Sequence, residues 1–326
     1  YNLPTSYIAQ YPLKKRSNSK LLFLEKKTGN IKHLIFKNIY KIFKKGDLII
    51  LNNTRVIPVK IVIENKNKKI CFFIEKVLNN NEGICQIKNK KKKIKISIDK
   101  INLIIKNYEN NIYKITCENI TINELIDKFG KVPLPPYIKR ESKKTDNSRY
   151  KTIYEKTKGS IAAPTAGLHF DKKLINKIKK KGINIGYITL HIGSGTFKTI
   201  KSQNIDNHKM HLEYINVSKK ICKKIEKTKK SGNKVIACGT STVRAIETAA
   251  INGKIRPFNG NTNIFIKPGF VFKVTDSIIT NFHLPRSPLL ILISTFYNIK
   301  LIIKSYEEAK KKKYRFLSYG DAMLIY

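Results

Sequence analysis

The sequence contains no tryptophan, only two methionines and few acidic residues. Its 326 residues include 66 Lys and Arg against 22 Asp and Glu, which gives a net charge of +44. Such a surplus attracts polyanions, so nucleic acid or an acidic membrane surface is the first class of partner that the charge suggests. The chain is also rich in Ile, Asn and Tyr, and a genome rich in A and T would give this composition to any protein. The charge alone therefore does not identify a partner.

Signals for disulfides, structural zinc and membrane spans are missing as well. The five cysteines are odd in number, scattered and without a C-x-x-C pair, at Cys71, Cys85, Cys117, Cys222 and Cys238. This pattern argues against a disulfide framework or a zinc site and favours a reducing compartment, so we expect a cytoplasmic protein. No apolar run approaches the ~20 residues that a membrane span requires. Hydrophobic residues at 41% exclude a disordered chain.

Residues 60–129 repeat short apolar runs without a helical pattern between them. The runs lie at 59–63, 70–74, 84–87, 94–98, 103–105 and 112–116. Several short strands in succession predict a small antiparallel barrel or sandwich. A short helix at 122–128 and the extended stretch PLPP at 133–136 close this part of the chain.

From about residue 150 onward, helices alternate with strands. The predicted elements are a helix at 172–181, a strand at 183–191, a helix at 219–230, a strand at 235–238 and a helix at 242–250. A glycine follows each helix, as expected at a helix end, and the alternation predicts a partly parallel sheet. We therefore predict an α/β main domain, residues 1–59 and 130–326, with an all-β domain, a small barrel of residues 60–129, inserted into it.

Two glycine-containing segments lie at junctions between these elements. In AAPTAGLHF at 162–170, Gly167 would let the backbone approach a ligand that His169 faces. The alternative is a plain turn before a helix capped by Asp171. TLHIGSGTF at 189–197 begins like a dinucleotide-binding loop but lacks its third glycine, so we predict a glycine-lined pocket and no Rossmann motif.

Two polar segments follow. HKMHLE at 208–213 has two histidines and a carboxylate, but its spacing differs from the zinc motif H-E-x-x-H, so no metal site is predicted. On a strand, His211 and Glu213 would share a face. GTSTVR at 239–244 links a strand to a helix, where free N–H groups and Arg244 would seat a carboxylate or phosphate.

The alternative for this second segment is that Ser241 or Thr242 merely caps the helix. The neighbouring Cys238 is expected to fill a buried strand position and not to act as a nucleophile.

Two segments near the C-terminus complete the set. TNFHLPRS at 280–287 leads into an apolar helix with Ser287 as N-cap and Pro288 as its first residue. YRFLSYGDAML at 314–324 offers the carboxylate of Asp321 at a tight turn. Five of the six histidines fall in the segments described so far, which favours a shared site.

Taken together, the segments resemble one family, the S-adenosylmethionine:tRNA ribosyltransferase-isomerases of queuosine biosynthesis. Further blocks that carry the resemblance are LP at 3–4, IAQYP at 8–12, NNTRVIP at 52–58, PLPPYI at 133–138 and SYGDAM at 318–323. All blocks follow the order of the family. Residues 60–120 match it only in their general pattern of short apolar runs.

The resemblance implies an α/β fold with an inserted β-barrel, and it implies a reaction. The ribosyl part of S-adenosylmethionine moves to 7-aminomethyl-7-deazaguanine at the tRNA wobble position and rearranges, giving epoxyqueuosine and releasing adenine and methionine. S-adenosylmethionine is then a consumed substrate, so no cofactor and no metal are expected. The implied partners are this tRNA and S-adenosylmethionine, without a membrane or protein partner, for a monomer in the cytoplasm.

Under this resemblance, the sulfonium acidifies the C5′ protons and adenine leaves, so the site must move protons. We hypothesise that these transfers are made, in roles that stay unassigned, by His169, His191, His211 and His283. Arg244 with the amides of residues 240–242 is the expected seat of the methionine carboxylate.

Gly193 and Gly195 would allow close approach to adenosine, and Asp321 or Glu213 would face the sulfonium or the ribose hydroxyls. The complete predicted substrate-binding set is Thr165, Gly167, Gly193, Gly195, Thr196, Glu213, Thr240, Ser241, Thr242, Arg244, Asn281 and Asp321. Contact with RNA is expected where aromatic residues interleave with cations, in RYKTIY at 149–154, for which a strand is the alternative. The predicted RNA-binding residues are Arg55, Arg149, Tyr150 and Lys151.

Two other classes of protein stay open at this point. A tRNA-binding protein of the same fold that had lost catalysis would keep the basic surface and lose the polar pocket residues. A different S-adenosylmethionine enzyme, such as an RNA methyltransferase, would show a strand and a glycine-rich turn near its start. Free adenine, as opposed to S-adenosylhomocysteine, would distinguish the predicted reaction from methyl transfer.

Overall fold

The computed structural model describes the chain apart from residues 66–67, 88–92, 99, 110–111, 198–199, 201–204 and 209. It divides into two compact units. The first consists of Tyr1–Arg55, Pro135–Arg140 and Arg149–Tyr326, and the second of Val56–Leu134 and Glu141–Ser148. The segment predicted as an insertion, 60–129, lies within the second unit, which extends beyond it.

The regular elements are numbered in chain order over the described residues. The strands are β1 Lys20–Leu24, β2 Ile31–Ile35, β3 Leu48–Asn52, β4 Thr54–Val56, β5 Lys60–Asn65, β6 Lys68–Val77, β7 Glu82–Ile87, β8 Lys93–Ile98, β9 Ile101–Glu109, β10 Ile112–Glu118, β11 Gly130–Lys131, β12 Thr157–Ser160, β13 Asn184–Leu190, β14 Glu213–Val217, β15 Val235–Cys238, β16 Phe258–Thr262, β17 Ser277–Asn281 and β18 Ala322–Ile325. The helices are α1 Ile122–Phe129, α2 Asp146–Arg149, α3 Lys172–Lys180, α4 Lys219–Lys230, α5 Thr240–Thr248, α6 Pro288–Phe296 and α7 Ile299–Lys311.

A nine-stranded mixed sheet forms the framework of the first unit, in the order β16-β14-β13-β3-β15-β17-β18-β1-β2. Its four central strands, β13, β3, β15 and β17, run parallel to one another. The flanking pairs β13–β14 and β17–β18 are antiparallel. The predicted partly parallel α/β layer is confirmed, and the carboxyl ends of its central strands meet at one edge.

Both faces of the central strands are covered. In β3, Leu48 and Ile50 pack with residues of α4 to α7, whereas Ile49 and Leu51 pack with residues of α3 on the other face. The unbroken apolar run of this strand, in which residues on both faces are buried, is typical of a sheet with helices on both sides.

The helix ends follow from local chemistry. The carboxylate of Asp171 caps α3, and Ser287 caps α6, whose first residue is Pro288. Gly182 and Gly232 follow α3 and α4 in left-handed backbone, at φ of +78° and +68°, a region that glycine adopts without steric strain. These predicted caps and stops are confirmed.

Helices α6 and α7 contribute apolar side chains to the core, among them Leu292 and Ile302, which expose 2% and 0% of their surface. No single helix in the described ranges is long and apolar enough to span a membrane. The pair α6 and α7 meets the length and composition criteria only together, across a bend of 114°.

The second unit is built on a seven-stranded sheet in the order β11-β5-β6-β7-β10-β9-β8. Burial alternates along β10, where Tyr113, Ile115 and Cys117 are buried, and α1 adds Leu125 and Ile126 to the apolar side. Each of the six apolar runs predicted between residues 59 and 116 lies on a strand, β5 to β10. In the part of this unit that the structure describes, no ladder joins β11 to β8, so the predicted small barrel is an open, curled half-barrel.

Candidate active site

A cavity opens in the first unit where the central parallel strands end. It holds about 840 Å³ of empty space, its open mouth included. Segments that follow β13, β15 and β17 form its wall, together with the start of β14 and the turn before β18. The polar wall residues are Tyr137, Thr165, Thr196, Glu213, Thr240, Ser241, Arg244, Thr280, Asn281, His283, Ser287 and Ser318. Ligands of open α/β sheets bind at this edge.

A buried ion pair stands in the cavity wall. Arg244 Nη1 donates to Glu213 Oε2, and Arg244 Nε donates to the Ile264 carbonyl at 3.2 Å. Glu213 Oε1 accepts the N–H of Gly193 at 3.0 Å and the hydroxyl of Thr196 at 3.1 Å. Arg244 Nη2 is buried and has no partner among the described residues. Because a buried donor without an acceptor is costly, this nitrogen is a natural contact for a ligand.

The N-terminus of α5 opens into the same cavity. Its N-cap is Gly239 at φ +91°, which brings no side chain to the first-turn N–H groups. Thr240 and Ser241 line the cavity, whereas the Thr242 hydroxyl donates back to the Cys238 carbonyl at 2.7 Å. The predicted helix start at Thr242, and its capping by Ser241 or Thr242, are therefore wrong. The uncapped N–H groups and the helix dipole favour an anionic ligand group.

Cys238 itself is buried in β15, in agreement with its interpretation as a core-filling residue. Burial raises the pKa of its thiol, so little thiolate is present at neutral pH. The structure therefore gives no support to a nucleophilic role.

His283 lines the cavity, and none of the three other predicted histidines does so in the described part of the chain. Its Nε2 lies 2.8 Å from Oγ1 of Thr280, and that hydroxyl donates to the Asn281 carbonyl at 3.2 Å. The hydroxyl oxygen therefore accepts the Nε2–H proton, and Nδ1 keeps its lone pair. Burial lowers the pKa of His283 to about 3, so the imidazole is neutral at neutral pH.

His169 lies behind the wall. Its Nδ1 is 2.7 Å from Ser19 Oγ, and its Nε2 is 3.2 Å from Asn281 Nδ2. Because an amide nitrogen only donates, Nε2 accepts and Nδ1 carries the proton. Burial, followed by the charges of Arg315 and Arg16, lowers the pKa of His169 to about 3. Both ring nitrogens are engaged by the protein, and Asn281 connects the ring to the cavity.

His191 and His211 lie outside the cavity wall. His191 Nδ1 is 2.8 Å from Thr54 Oγ1, its ring stacks on Tyr214 at a centroid distance of 5.3 Å, and burial lowers its pKa. His211 is exposed in the segment before β14. Because β14 begins only at Glu213, the predicted strand face shared by His211 and Glu213 does not form.

Two of the three predicted ligand glycines, Gly167 and Gly195, lie close against neighbouring side chains, whereas a Cβ on Gly193 would meet no atom within 4 Å. None of the three lines the cavity among the described residues. Gly193 binds the wall carboxylate through its N–H, a Cβ on Gly195 would lie 2.1 Å from the ring of His211, and one on Gly167 would lie 2.1 Å from the hydroxyl of Tyr154.

Asp321 also acts on the backbone. Its Oδ1 accepts the N–H of Lys20 at 2.9 Å, and its Oδ2 accepts the N–H of Arg315 at 2.8 Å. It does not line the cavity. The residues that the structure describes contain no group of three or more His, Cys, Asp or Glu that could hold a metal ion. The absence of a metal stays a prediction.

The predicted RNA-binding residues form neither a strand nor a stacking surface. Arg149 donates to two backbone carbonyls of the N-terminal segment. Tyr150 exposes only 1% of its surface, which leaves no ring face for a base. Lys151 Nζ and Arg55 Nε lie 3.3 and 3.5 Å from the carboxylate of Glu155.

Three residues that the sequence analysis missed also shape the site. Asn52 Nδ2 donates to the Leu190 carbonyl at 3.0 Å and to Ser241 Oγ at 3.2 Å, which ties the end of β3 to β13 and α5. Ser318 lies in the wall, 2.6 Å from the hydroxyl of Tyr137. The polar NNT directly after an apolar strand was a usable signal for Asn52. No local signal pointed to Ser19, because its contact with His169 joins residues 150 positions apart in the chain.

We expect Gly167→Ala to lower the free energy of unfolding by roughly 1–3 kcal/mol, the usual range for overpacking. The new methyl group would meet the Tyr154 hydroxyl at 2.1 Å. Because that oxygen is the nearest atom, Tyr154→Phe should recover part of the loss in the double variant. Urea unfolding of the two single variants and the double variant measures the coupling. Additive losses would contradict this packing account and leave ligand approach as the role of the glycine.

An α/β unit with a polar cavity at its strand ends, a buried Arg–Glu pair and an uncapped helix N-terminus belongs to the class of proteins that bind a small polar or charged ligand at this edge of the sheet. The family model described as "Queuosine biosynthesis protein" matches residues 1–325. The chain therefore belongs to the queuosine biosynthesis protein family.

Curated relatives match it over its full length. Proteins named S-adenosylmethionine:tRNA ribosyltransferase-isomerase are 45% identical in Sulfurihydrogenibium sp. and 44% identical in Francisella tularensis subsp. novicida, and both alignments cover 100% of this chain and 98% of the relative. A crystal structure of S-adenosylmethionine tRNA ribosyltransferase from Thermotoga maritima is similar as well. It has 30% identity and a TM-score of 0.59, with 100% of this chain and 99% of that chain covered.

Proposed function

We propose that the protein transfers and isomerises the ribosyl moiety of S-adenosylmethionine onto 7-aminomethyl-7-deazaguanine at the wobble position of tRNA, forming epoxyqueuosine and releasing adenine and methionine. One observation carries the proposal. In a chain that belongs to the family over residues 1–325, segments between residues 137 and 318 converge on one cavity with charged and polar groups left for a ligand.

The methionine carboxylate binds at Arg244 and the N-terminus of α5. Arg244 Nη2 is buried without a partner in the described part of the chain, and the helix begins at Gly239 without a side-chain cap. A carboxylate placed there accepts hydrogen bonds from the guanidinium and from first-turn N–H groups, both of which favour negative charge. Glu213 holds the guanidinium in place and supplies the negative charge that a sulfonium prefers nearby.

Asn281 is suited to the adenine. The residue lines the cavity and is 2% exposed, and its Oδ1 has no partner among the described residues. An amide oxygen accepts hydrogen bonds, and the exocyclic amino group of adenine donates them. The Nδ2 of the same side chain contacts His169 and the Leu317 carbonyl, which fixes the orientation of the amide.

His283 accepts the proton from the carbon next to the sulfonium. Of the four histidines predicted to be catalytic, it is the one that lines the cavity in the described part of the chain. With a pKa of about 3 it is unprotonated at neutral pH, as a general base must be. The positive sulfonium acidifies the C–H bond that His283 deprotonates. His169, whose nitrogens both have protein partners, positions Asn281 and does not contact the reacting atoms.

S-adenosylmethionine is consumed in this scheme, and no further cofactor is assigned. A cytoplasmic location is part of the proposal, because tRNA is the substrate and the five thiols are free. The sequence-based expectation of a monomer stays a prediction.

The direct test incubates the purified protein with S-adenosylmethionine and tRNA that carries 7-aminomethyl-7-deazaguanine. We expect stoichiometric adenine and epoxyqueuosine by mass spectrometry. Salt-sensitive tRNA binding without adenine would indicate instead a protein that had lost catalysis, and S-adenosylhomocysteine would indicate a methyltransferase.

His283→Gln should lower kcat by about 100-fold or more, the typical contribution of a general base. Glutamine keeps a donor for Thr280 but has no basic lone pair. His191→Ala, which changes a histidine outside the cavity wall, is the matched comparison and should reduce kcat much less. Equal losses in the two variants, or full turnover by His283→Gln, would remove the assignment.

A further inference from the structure

A second, smaller cavity in the first unit is built from arginines. Arg16, Arg149 and Arg315 all line it, together with Ser19, His169 and other residues. No Asp or Glu appears in this lining over the described residues. The empty space, its mouth included, is about 290 Å³, which suits a single ionic group better than a whole nucleotide.

Each of the three guanidiniums donates to at least one backbone carbonyl. Arg149 donates to the carbonyls of Leu13 and Lys14, at 2.6 and 3.1 Å. Arg16 Nη1 donates to the Lys151 carbonyl at 2.7 Å. Carbonyl contacts fix the orientation of a guanidinium and leave its charge in place.

Arg315 is held similarly, by the Tyr11 carbonyl at 3.2 Å. Its distance of 3.7 Å to Asp321 is long for an ion pair. That carboxylate is already occupied by two backbone N–H groups. Burial and the neighbouring Arg149 lower the pKa of Arg16, and Arg315 and Arg16 both oppose a charge on His169. The three cations therefore act on one small space, which favours an anion.

We propose that this arginine cavity binds a backbone phosphate of the RNA substrate. Guanidinium groups match phosphate oxygens in charge and geometry. An RNA source is favoured over free phosphate by Tyr11, a residue that is 51% exposed and whose carbonyl accepts a hydrogen bond from Arg315. Arg140 lies 4.3 Å from the centre of the Tyr11 ring. An exposed aromatic ring with cations beside it is the usual surface for an unstacked RNA base.

The arginine cavity adjoins the candidate active site. Ser318 lines both cavities. His169 lines the arginine cavity, and Asn281, 3.2 Å from its ring, lines the other. An RNA strand whose phosphate sits among the arginines therefore passes directly beside the cavity assigned to S-adenosylmethionine. The inference rests on the proposed function, because it takes RNA as the substrate.

The test measures binding of an anticodon stem-loop RNA, which carries 7-aminomethyl-7-deazaguanine, by fluorescence anisotropy over a series of KCl concentrations. Arg315→Gln should weaken binding about tenfold, as the loss of a charge-assisted hydrogen bond predicts. It should also reduce the slope of log K against log[KCl] by about 0.7–0.9. Arg315→Lys should keep the slope. Arg256→Gln, at an exposed arginine outside both cavities, is the matched control and should bind like the wild type.

Tyr11→Ala and Tyr11→Phe give an independent measurement that does not alter the arginines. Loss of the ring should weaken RNA binding about tenfold, within the range for one stacked base, and Phe should restore it. If Arg315→Gln does not fold, as judged by circular dichroism, Arg149→Gln and the Tyr11 pair decide the question.

Unchanged RNA affinity and salt slope in a folded Arg315→Gln protein would overturn the inference. So would weaker binding of S-adenosylmethionine, measured by equilibrium dialysis without RNA, because the anion would then be the methionine carboxylate. Failure of the proposed function would give a different result. The wild-type protein would then release no adenine, while Arg315→Gln and Tyr11→Ala would still weaken RNA binding.

Discussion

Replacing Glu213 by Gln should lower the free energy of unfolding by about 3–5 kcal/mol, the range for breaking a buried ion pair on one side. Arg244 would stay buried with its charge uncompensated, because both side chains of the pair are 5% exposed or less. The same change removes the carboxylate that holds Gly193 and Thr196. Urea denaturation at pH 7 measures the loss, and equilibrium dialysis should show weaker binding of S-adenosylmethionine.

Thr196→Val is the matched control for this change. It removes one neutral donor to the same carboxylate and should cost about 1 kcal/mol. The double variant Glu213→Gln/Arg244→Met, which removes both charges, should recover stability relative to Glu213→Gln alone. If the single variant were as stable as the wild type, the ion pair would not be buried in solution as it is in this structure.

Acidification should destabilise the protein through His169 and His283. The pKa of each is lowered by burial from 6.5 to about 3 in the folded chain. Below pH 6.5 these two imidazoles therefore bind protons in the unfolded chain but not in the folded chain. The free energy of unfolding falls as the pH falls toward 3. Between pH 6.5 and 4.5 each histidine should remove about 2 kcal/mol of stability, at ~1.4 kcal/mol per pH unit.

His169→Asn and His283→Gln isolate this contribution from that of the carboxylates. Each variant starts less stable at pH 7, and its deficit relative to the wild type should shrink by about 2 kcal/mol at pH 4.5. His211→Gln, at an exposed position, is the control for replacing a histidine at the surface. A constant deficit for His283→Gln would mean that this imidazole is solvated in the folded protein.

The elements that were predicted correctly depend on local signals. Asp171 and Ser287 cap their helices, and Gly182 and Gly232 end theirs, because the caps and the left-handed residues act within a few positions of the chain. The start of α5 was misplaced by the same kind of reasoning. Thr242 has a capping type of side chain, but it lies in the first turn of α5 and its hydroxyl donates to the carbonyl of Cys238, the last residue of β15. Gly239 takes the N-cap position.

The candidate site was predicted as a set of segments and not as a geometry. That Glu213, Arg244, Asn281 and His283 line one cavity follows from the order of strands in the sheet, which no local pattern contains. The same limit applies to Tyr150. Its neighbours in sequence are cations, which suggested a stacking role, but tertiary packing buries its ring.

The position of β18 in the sheet has a consequence for biosynthesis. β1 pairs only with β2 and β18 in the described sheet, and β18 in turn joins β1 to β17. The hairpin of residues 20–35, which is made before the strands of the parallel core, therefore has no backbone ladder to that core until residues 322–325 have been synthesised. Closing a pairing over about 300 residues is slow, and an unpaired apolar strand edge invites aggregation meanwhile. We expect nascent chains of this protein to depend on chaperones until residues 322–325 have left the ribosome.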